Sequence, residues 1–266
     1  IYTLSLHDAL PIYQPALTTL DLSKNTELST LHCANDQLME LNVSKNTKLF
    51  SLNCASNDLK ALDLSQNTRL STLNCTDNRL TSLDLSQNTE LSTLNCTNNR
   101  LTSLDLSQNT RLDSLYCGGN RLTFLDLQGL TLTGSATVGG QTRDGLTVSA
   151  IGGAYVVDLG AFLSRDRFDK VKDLAGKASD GTPLTPLSFL NNGKATFNAK
   201  PVTVTYRYAT GNTEAPLMDV TLIESNTITV SVSGRGRVTR QGSTEALSGD
   251  RKSTRLNSSH NNRSRM

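Results

Sequence analysis

The stretch LSTLNCTNNRLTSLDLSQNTR, at positions 91–111, is the unit that decides the fold of this chain. Related units precede it at a constant step in residue number, and all five cysteines follow that step: Cys33, Cys54, Cys75, Cys96 and Cys117. Catalytic nucleophiles and metal clusters are not distributed in this way, whereas a strict internal period is typical of solenoids. The sequence therefore predicts a stack of equivalent coils.

Leucine and asparagine keep the same step. Leucine occupies positions 28, 49, 70, 91 and 112, then 31, 52, 73, 94 and 115, then 38, 59, 80, 101 and 122. Asparagine forms one column of Asn25, Asn46, Asn67, Asn88 and Asn109, and a second of Asn57, Asn78, Asn99 and Asn120, with Asp36 at its start. We expect the leucines to stack about 4.8 Å apart. We expect the asparagine amides to donate to and accept from turn backbone of the neighbouring coil, which is a structural role.

Each cysteine takes the place of an inward-pointing leucine. A free cysteine behaves as a small buried hydrophobe, so a packed column of thiols is expected. Disulfides between neighbouring coils are allowed by distance, since the Cα atoms need only be about 4.4–6.8 Å apart. Side chains in register point the same way, however, and an odd number leaves one thiol over. Metal or redox chemistry is the third alternative, and buried thiols are usually inert.

The TLNC-type segments offer a candidate partner-binding surface. Side chains alternate along a strand, so the residues on either side of each central leucine face solvent. We call this set the strand face; it comprises Thr30, His32, Ser51, Asn53, Thr72, Asn74, Thr93, Asn95, Ser114 and Tyr116. It is small, polar and uncharged, with an aromatic residue at Tyr116. These properties suit a protein or glycan partner, and the alternative is a soluble sheet face without a ligand.

The LDLS-type segments carry a row of acidic residues on the other side of each coil. We call it the aspartate row; it comprises Asp21, Asn42, Asp63, Asp84, Asp105 and Asp126, with a serine two places after the first five. The favoured interpretation is that each carboxylate accepts hydrogen bonds from turn amides or the serine. The alternative is a string of weak calcium sites, because Ca²⁺ requires several oxygen ligands. The glycine-rich nonapeptide of calcium-binding β-rolls is absent.

The two ends of the chain differ from the rest. Residues 1–12 read IYTLSLHDALPI and residues 250–260 read DRKSTRLNSSH, and both match translated short-read sequencing adapters. We therefore expect residues 1–12 and 250–266 to be adapter-derived rather than native. The whole chain has 26 Lys and Arg residues and 24 Asp and Glu residues. Without those ends it has 21 basic and 22 acidic residues, a net charge of −1. This balance gives no evidence for a nucleic-acid partner.

The sequence contains little material for catalysis. Two of the three histidines lie in the expected adapter ends, which leaves His32. The motifs G-x-x-x-x-G-K-[ST], H-E-x-x-H and C-x-x-C are absent. No stretch approaches the ~20 apolar residues of a membrane helix. We predict no catalytic residue, no metal site, no cofactor and no membrane span in this chain.

The region after the repeats is predicted to form a second β domain. The period stops at Leu127, and short strand-like runs such as AYVVDLG and PVTVTYRYA then alternate with Gly, Pro and Asn breaks. This pattern favours a β-sandwich over residues 136–225. Residues 226–249 read as the start of a further β module. The fold class is therefore mainly β, with a solenoid over residues 13–135 followed by a sandwich.

The repeat carries a specific family resemblance. LSTLNCTNN and LTSLDLSQN both fit L-x-x-L-x-[L/C]-x-x-N, so residues 17–127 resemble leucine-rich repeats, particularly the short-period, internalin-like repeats of bacterial surface proteins. The resemblance implies a main parallel sheet of TLNC segments, an opposite wall of short strands or tight turns, and an Ig-like domain after the repeats. It also implies an extracellular or cell-surface, non-enzymatic binding or adhesion module. The alternatives are the targeting region of a larger secreted enzyme and an architectural stalk.

Overall fold

The computed structural model describes residues 18–225 apart from 191, 214 and 216, together with the backbones of three further strands. Those strands are β1 (Tyr2–Ser5), β17 (Thr229–Ser233) and β18 (Arg237–Gln241). The chain divides into two compact units, Ile1–Ser225 and Asn226–Met266. The adapter predictions for residues 6–12 and 250–266 lie outside the described residues.

A seven-stranded parallel sheet in sequence order, β1 to β7, forms one wall of the solenoid. Its other strands are β2 (Leu28–His32), β3 (Ser51–Asn53), β4 (Thr72–Asn74), β5 (Thr93–Asn95), β6 (Ser114–Tyr116) and β7 (Ala136–Thr137). The register places Leu52 beside Leu73, and Leu73 beside Leu94. The predicted stack of coils, with the TLNC segments in the sheet, is confirmed.

The opposite wall consists of tight turns. In each described LDLS segment the chain runs extended and then reverses without strand pairing. The Asn67 N–H donates to the Leu64 carbonyl over 2.9 Å, and the Leu70 N–H donates to the Asn67 carbonyl over 3.0 Å. The same pair of bonds recurs in the neighbouring coils. Of the two forms expected for this wall, the structure has turns.

The core lies between these walls as columns of identical side chains. The leucines on the sheet side, such as Leu70 and Leu73, are fully buried. Those of the LDLS wall from Leu41 onward are at most 7% exposed, and Leu20 at its start is half-buried. Burial of each leucine contributes roughly 1.5–3 kcal/mol relative to exposure. A single coil cannot cover its own apolar edges, so this burial exists only in the stack.

The solenoid continues one coil beyond the last sequence match. Strand β7 pairs with β6, setting Ala136 beside Leu115. Val138 stands one period after Cys117 and is 5% exposed, while Gln141 stands one period after Asn120 and is 1% exposed. The sequence predicts that the period ends at Leu127, because these two residues differ in type from their columns. The parallel sheet therefore passes residue 135, the boundary predicted for the solenoid.

Part of the N-terminal peptide joins the sheet. Strand β1 pairs in parallel with β2, with Leu4 beside Leu31 and Ser5 beside His32. The strand thus extends the parallel sheet by one member within a peptide that is expected to be adapter-derived. An edge strand presents unpaired N–H and C=O groups to any extended segment, whatever its origin. The adapter origin of the peptide stays a prediction.

Residues 141–225 form two sheets and two short 3₁₀ helices. A five-stranded sheet has the order β12-β11-β15-β16-β8, and a four-stranded sheet has the order β13-β14-β10-β9. The strands are β8 (Gln141–Leu146), β9 (Val148–Ile151), β10 (Ala154–Asp158), β11 (Val171–Lys177), β12 (Pro183–Leu184), β13 (Ser188–Phe189), β14 (Lys194–Phe197), β15 (Thr203–Ala209) and β16 (Leu217–Glu224). The 3₁₀ helices are Leu159–Ala161 and Arg165–Lys170. Two β-sheets with a shared core agree with the predicted mainly β architecture, and the Ig-like assignment stays a prediction.

The two sheets pack against each other through Phe197. A Cβ atom added to Gly176 of β11 would lie 2.9 Å from the Phe197 ring of β14, so this ring packs directly on the β11 backbone. Phe197, Tyr206 and Met218 are all at most 1% exposed. The side chains between the sheets belong to the same buried cluster as the core of the solenoid.

The last coil of the solenoid is bonded to the five-stranded sheet. The Tyr206 hydroxyl donates to the Thr123 carbonyl over 2.7 Å, and the Thr123 hydroxyl donates to the Phe162 carbonyl over 2.9 Å. The Leu127 N–H donates to the Thr210 carbonyl over 2.9 Å. Tyr206 and Thr123 are each 1% exposed, so these bonds are screened from water. The junction between the two parts is therefore a packed interface.

We expect Tyr206→Phe to lower the free energy of unfolding by about 1 kcal/mol, because it removes one buried hydrogen bond and keeps the ring. Urea unfolding followed by circular dichroism measures this change. Tyr155→Phe is a control, since Tyr155 is half-buried on β10. Equal stability of Tyr206→Phe and the original protein would show that the junction bond contributes nothing.

In the second unit, β17 and β18 pair as an antiparallel hairpin, with Val232 beside Val238. The predicted further β module over residues 226–249 thus contains two paired strands in its described part. The rest of that prediction lies outside the described residues.

Candidate partner-binding site

The strand face is a pair of straight columns across five strands. One column runs Thr30, Ser51, Thr72, Thr93 and Ser114, and the other runs His32, Asn53, Asn74, Asn95 and Tyr116. His32 is exposed and the other nine residues are half-buried. Neighbouring members of a column lie about 4.8 Å apart, the spacing of hydrogen-bonded strands. The ten predicted residues therefore share one continuous surface.

The asparagines of the strand face have fixed orientations. The Oδ1 atoms of Asn53, Asn74 and Asn95 each accept the backbone N–H two residues later over 3.2 Å. An amide whose oxygen is engaged in this way leaves its two N–H donors available. Three equivalent donor groups are thus held at the strand spacing, and little side-chain entropy remains to be lost on binding.

Two aromatic side chains stand at the borders of this neutral surface. Phe50 directly precedes β3 and is 54% exposed, which is unusual for a residue of its type. Tyr116 ends the asparagine column beside Asn95. Ser71 and Ser92 follow Phe50 in its column, and their hydroxyls are 3.1 Å apart. Phe50 is not among the predicted strand-face residues, because it lies just before the strand that begins at Ser51.

Carboxylates of the aspartate row accept bonds from their own turns. The Oδ1 atoms of Asp63, Asp84 and Asp105 each accept the N–H of the serine two residues later over 2.9 Å. These backbone bonds, followed by the serine hydroxyls, lower the pKa of all three carboxyls. Repulsion from the neighbouring carboxylate opposes this shift at Asp84 and Asp105. The arrangement matches the turn interpretation of the row.

Asp126 departs from the row to which the sequence assigned it. Its carboxylate accepts the Lys170 ammonium over 2.6 Å, the Arg167 guanidinium over 3.3 Å and the Tyr208 hydroxyl over 3.1 Å. Burial raises the Asp126 pKa, but these partners outweigh it and the net shift is downward. The Arg167 guanidinium also lies 4.1 Å from the centre of the Phe124 ring. Asp126 therefore belongs to the junction.

Open clefts lie along the aspartate side. One of about 530 Å³ is bordered by Phe124, Leu130 and Arg167 at the junction. A smaller one of about 250 Å³ shares Ser103, Asp105 and Ser107 with it. No group of three or more His, Cys, Asp or Glu side chains within the described residues is arranged to hold a metal ion. No helix in that part of the chain is long and apolar enough to cross a membrane.

The second asparagine column donates and accepts. In Asn78, Nδ2 donates to the carbonyls of Cys54 and Cys75 over 3.0 and 3.1 Å, while Oδ1 accepts the Leu59 N–H over 3.0 Å. Asn57, Asn99 and Asn120 repeat this pattern. Gln141 extends it, because Oε1 accepts the Leu122 N–H over 3.1 Å. These residues bind main chain of the preceding coil.

The first asparagine column only donates. Nδ2 of Asn88 reaches the carbonyls of Leu64 and Asn67 over 3.1 and 2.9 Å, and Asn46, Asn67 and Asn109 do the same one coil apart. Their buried Oδ1 atoms accept no hydrogen bond from the described part of the chain. The expectation that these amides also accept is therefore wrong for this column. Asn25, placed in the same column by sequence, is exposed and supplies its carbonyl to Asn46.

All five cysteines are free and fully buried, each at 0% exposure. They occupy the core position two residues after the central leucine of each strand. Burial raises the pKa of Cys33 and Cys96 to about 12, and it raises the pKa of Cys54, Cys75 and Cys117 as well. A thiol in such surroundings stays protonated and unreactive at neutral pH.

Solved structures with the same architecture come from internalins. The functional domain of InlJ from Listeria monocytogenes, which includes a cysteine ladder, is 26% identical to this chain with a TM-score of 0.54. That match covers 79% of this chain and 51% of the InlJ domain. The internalin InlF from Listeria monocytogenes str. 4b F2365 is 23% identical with a TM-score of 0.40, covering 46% of this chain and 42% of its own. InlP from Listeria monocytogenes is 18% identical with a TM-score of 0.45, covering 74% and 60%.

Neither the models of known protein families nor the curated proteins give a match. The chain spans about half the length of the InlJ domain that it resembles. The first unit is accordingly an internalin-like leucine-rich repeat solenoid continuing into a region of two β-sheets.

Proposed function

We propose that this chain is a non-enzymatic binding or adhesion module of an extracellular or cell-surface bacterial protein, and that the strand face contacts the partner. The observation that carries the proposal is the strand face itself, ten polar side chains held in register by a rigid sheet. Solenoids commonly bind along such extended surfaces. The similarity to InlJ, a Listeria internalin, supports the extracellular setting.

The side chains of the surface explain why binding is favoured over catalysis. Apart from His32 and Tyr116 it offers hydroxyl and amide groups, which donate and accept hydrogen bonds without transferring protons near neutral pH. The targeting region of a larger secreted enzyme would use the same surface for its substrate. An architectural stalk would need no such surface, so loss of binding on its alteration separates a stalk from a binding module.

The double variant Asn74→Arg with Asn95→Arg tests the proposal. Two long charged side chains at the centre of the strand face should weaken partner binding at least tenfold, because they obstruct the columns and place unpaired charge in the interface. Binding is measured against arrays of purified surface proteins and glycans.

The matched control is Ser65→Arg with Ser86→Arg, which adds the same charges to exposed turns of the opposite wall. Partners retained by the control and lost by the strand-face variant support the proposal. Partners bound equally by both variants, or an array without any partner for the original protein, contradict it.

A further inference from the structure

We propose that the strand face binds a neutral, linear, β-linked glycan, with about one sugar residue per coil and an aromatic side chain at each end of the bound segment. This inference rests on the proposed function and names the chemical class of its partner.

The absence of charge limits the ligand. None of the ten strand-face residues is a lysine, arginine, aspartate or glutamate. The nearest carboxylate in the Phe50 column is Asp113, whose side chain accepts the hydroxyls of Thr133 and Ser114. A sulfated or uronic-acid glycan would find no cation there to replace its hydration, and desolvating an unpaired charge is expensive. A ligand that matches this surface is therefore uncharged.

The composition of the surface also disfavours a protein partner at its centre. Protein interfaces draw most of their binding energy from a few buried Trp, Tyr and Arg anchors. The coils of β4 and β5 present Thr72, Asn74, Thr93 and Asn95 in these positions. A glycan instead needs many directional hydrogen bonds over a short length, and rows of hydroxyls and amides supply them.

The spacing favours a repeating ligand. The Nδ2 donors of Asn53, Asn74 and Asn95 recur at the strand spacing of about 4.8 Å, close to the length of one β-linked pyranose with its glycosidic bond. Neighbouring sugars of a β-1,4-linked glucan are turned over relative to each other, so equivalent contacts recur at every second sugar and therefore at every second coil. In an extended peptide the side chains on one face recur every two residues, about 6.6–6.8 Å, so this repeat does not match the spacing of the coils.

The aromatic residues define the ends. Phe50 and Tyr116 lie three strands apart and at opposite sides of the two columns, roughly 17 Å from each other by strand geometry. Phe50 is exposed and Tyr116 is half-buried, and the accessible surface of each ring can pack on the C–H faces of sugar rings. Burial of large aromatic surface is strongly favourable. The distance corresponds to a bound segment of about four sugars. Contact with a sugar ring would explain why Phe50, a large apolar residue, is 54% exposed.

Isothermal titration calorimetry with cello-oligosaccharides of increasing length, from the disaccharide through the tetrasaccharide to the hexasaccharide, tests the inference on the full chain. We expect the tetrasaccharide to bind at least tenfold more tightly than the disaccharide, and the hexasaccharide to gain little more. Phe50→Ala, Tyr116→Ala and the double variant Asn74→Ala with Asn95→Ala should each weaken tetrasaccharide binding at least fivefold. Ser86→Ala, on the opposite wall, should leave it unchanged.

Thermal unfolding of each variant confirms that it remains folded. Failure of the folded protein to bind any of these neutral glucans, or equal affinity for all three lengths, overturns the glycan inference. If the Asn74→Arg with Asn95→Arg variant then still loses binding to proteins on the array, the proposed function stands with a protein partner. If that variant loses nothing, both proposals fall.

Discussion

Asn78→Ala is expected to lower the free energy of unfolding by about 3 kcal/mol, because it removes hydrogen bonds and leaves a buried donor without an acceptor. The lost groups are the Oδ1 atom that accepts the Leu59 N–H and the Nδ2 donor that reaches the Cys54 and Cys75 carbonyls. Those carbonyls keep Asn57 and Asn99 as donors. The Leu59 N–H keeps no partner in the described structure, and such a buried donor costs roughly 1–3 kcal/mol beyond the lost bonds.

Asn88→Ala provides the matched comparison, because it removes an asparagine at 0% exposure from the other column. The Leu64 and Asn67 carbonyls that it serves also accept the N–H groups of Asn67 and Leu70. Both carbonyls therefore keep a donor, and the removed Oδ1 atom had no partner among the described residues. We expect a loss of about 1 kcal/mol.

Urea unfolding of both variants measures the difference between the two columns. Thr89→Ala, in an exposed turn, serves as a surface control and should change stability by less than about 0.5 kcal/mol. Equal losses for Asn78→Ala and Asn88→Ala would contradict the distinction between a column that donates and accepts and one that only donates.

Much of the fold could be predicted because the period is so strict. A constant step in residue number places identical side chains over one another, so the sheet, the leucine columns and the strand face all follow from the sequence. The register pairs confirm the stacking, residue by residue, from Thr30 to Tyr116. Within the repeat, the residue type that suits the local pattern is also the one that suits the packing between coils.

The role of a repeat residue is predicted incorrectly where its side chain contacts residues outside its own column. Asp126 matches Asp105 in sequence, but Lys170 and Arg167, more than forty positions later, remove it from the row. Gln141 and Val138 continue two columns with side chains of a different type, so the identity of the repeated residues does not reveal the last coil. The unpartnered Oδ1 atoms of the first asparagine column, within the described residues, depend on turn geometry that the residue type does not specify.

The cysteine column has a consequence for the stability of the protein in alkali. Burial raises the pKa of all five thiols in the folded state above their ordinary value of 9.0. The folded state therefore holds protons that the unfolded state releases once the pH passes about 9. Their stabilising contribution is complete below that pH and is lost as the pH rises toward the folded-state values.

We expect the free energy of unfolding to fall by several kcal/mol between neutral pH and pH 10, since each of the five thiols contributes on the order of 1 kcal/mol there. A loss of that size is comparable with the whole stability of a typical domain, about 5–15 kcal/mol. Tyr206 and Tyr208, whose pKa values are also raised by burial, add to the loss at higher pH. Urea unfolding at several pH values between neutrality and about pH 10.5 follows the transition.

The double variant Cys75→Val with Cys96→Val separates the contribution of the thiols from that of the tyrosines. Valine is close to cysteine in volume and apolar, so packing at neutral pH should change by less than about 1.5 kcal/mol. Two fewer ionisable groups should reduce the loss at pH 10 by about 2 kcal/mol. A variant with the same pH dependence as the original protein would mean that the thiols are already accessible to water in the folded state, and the column would not be part of the core.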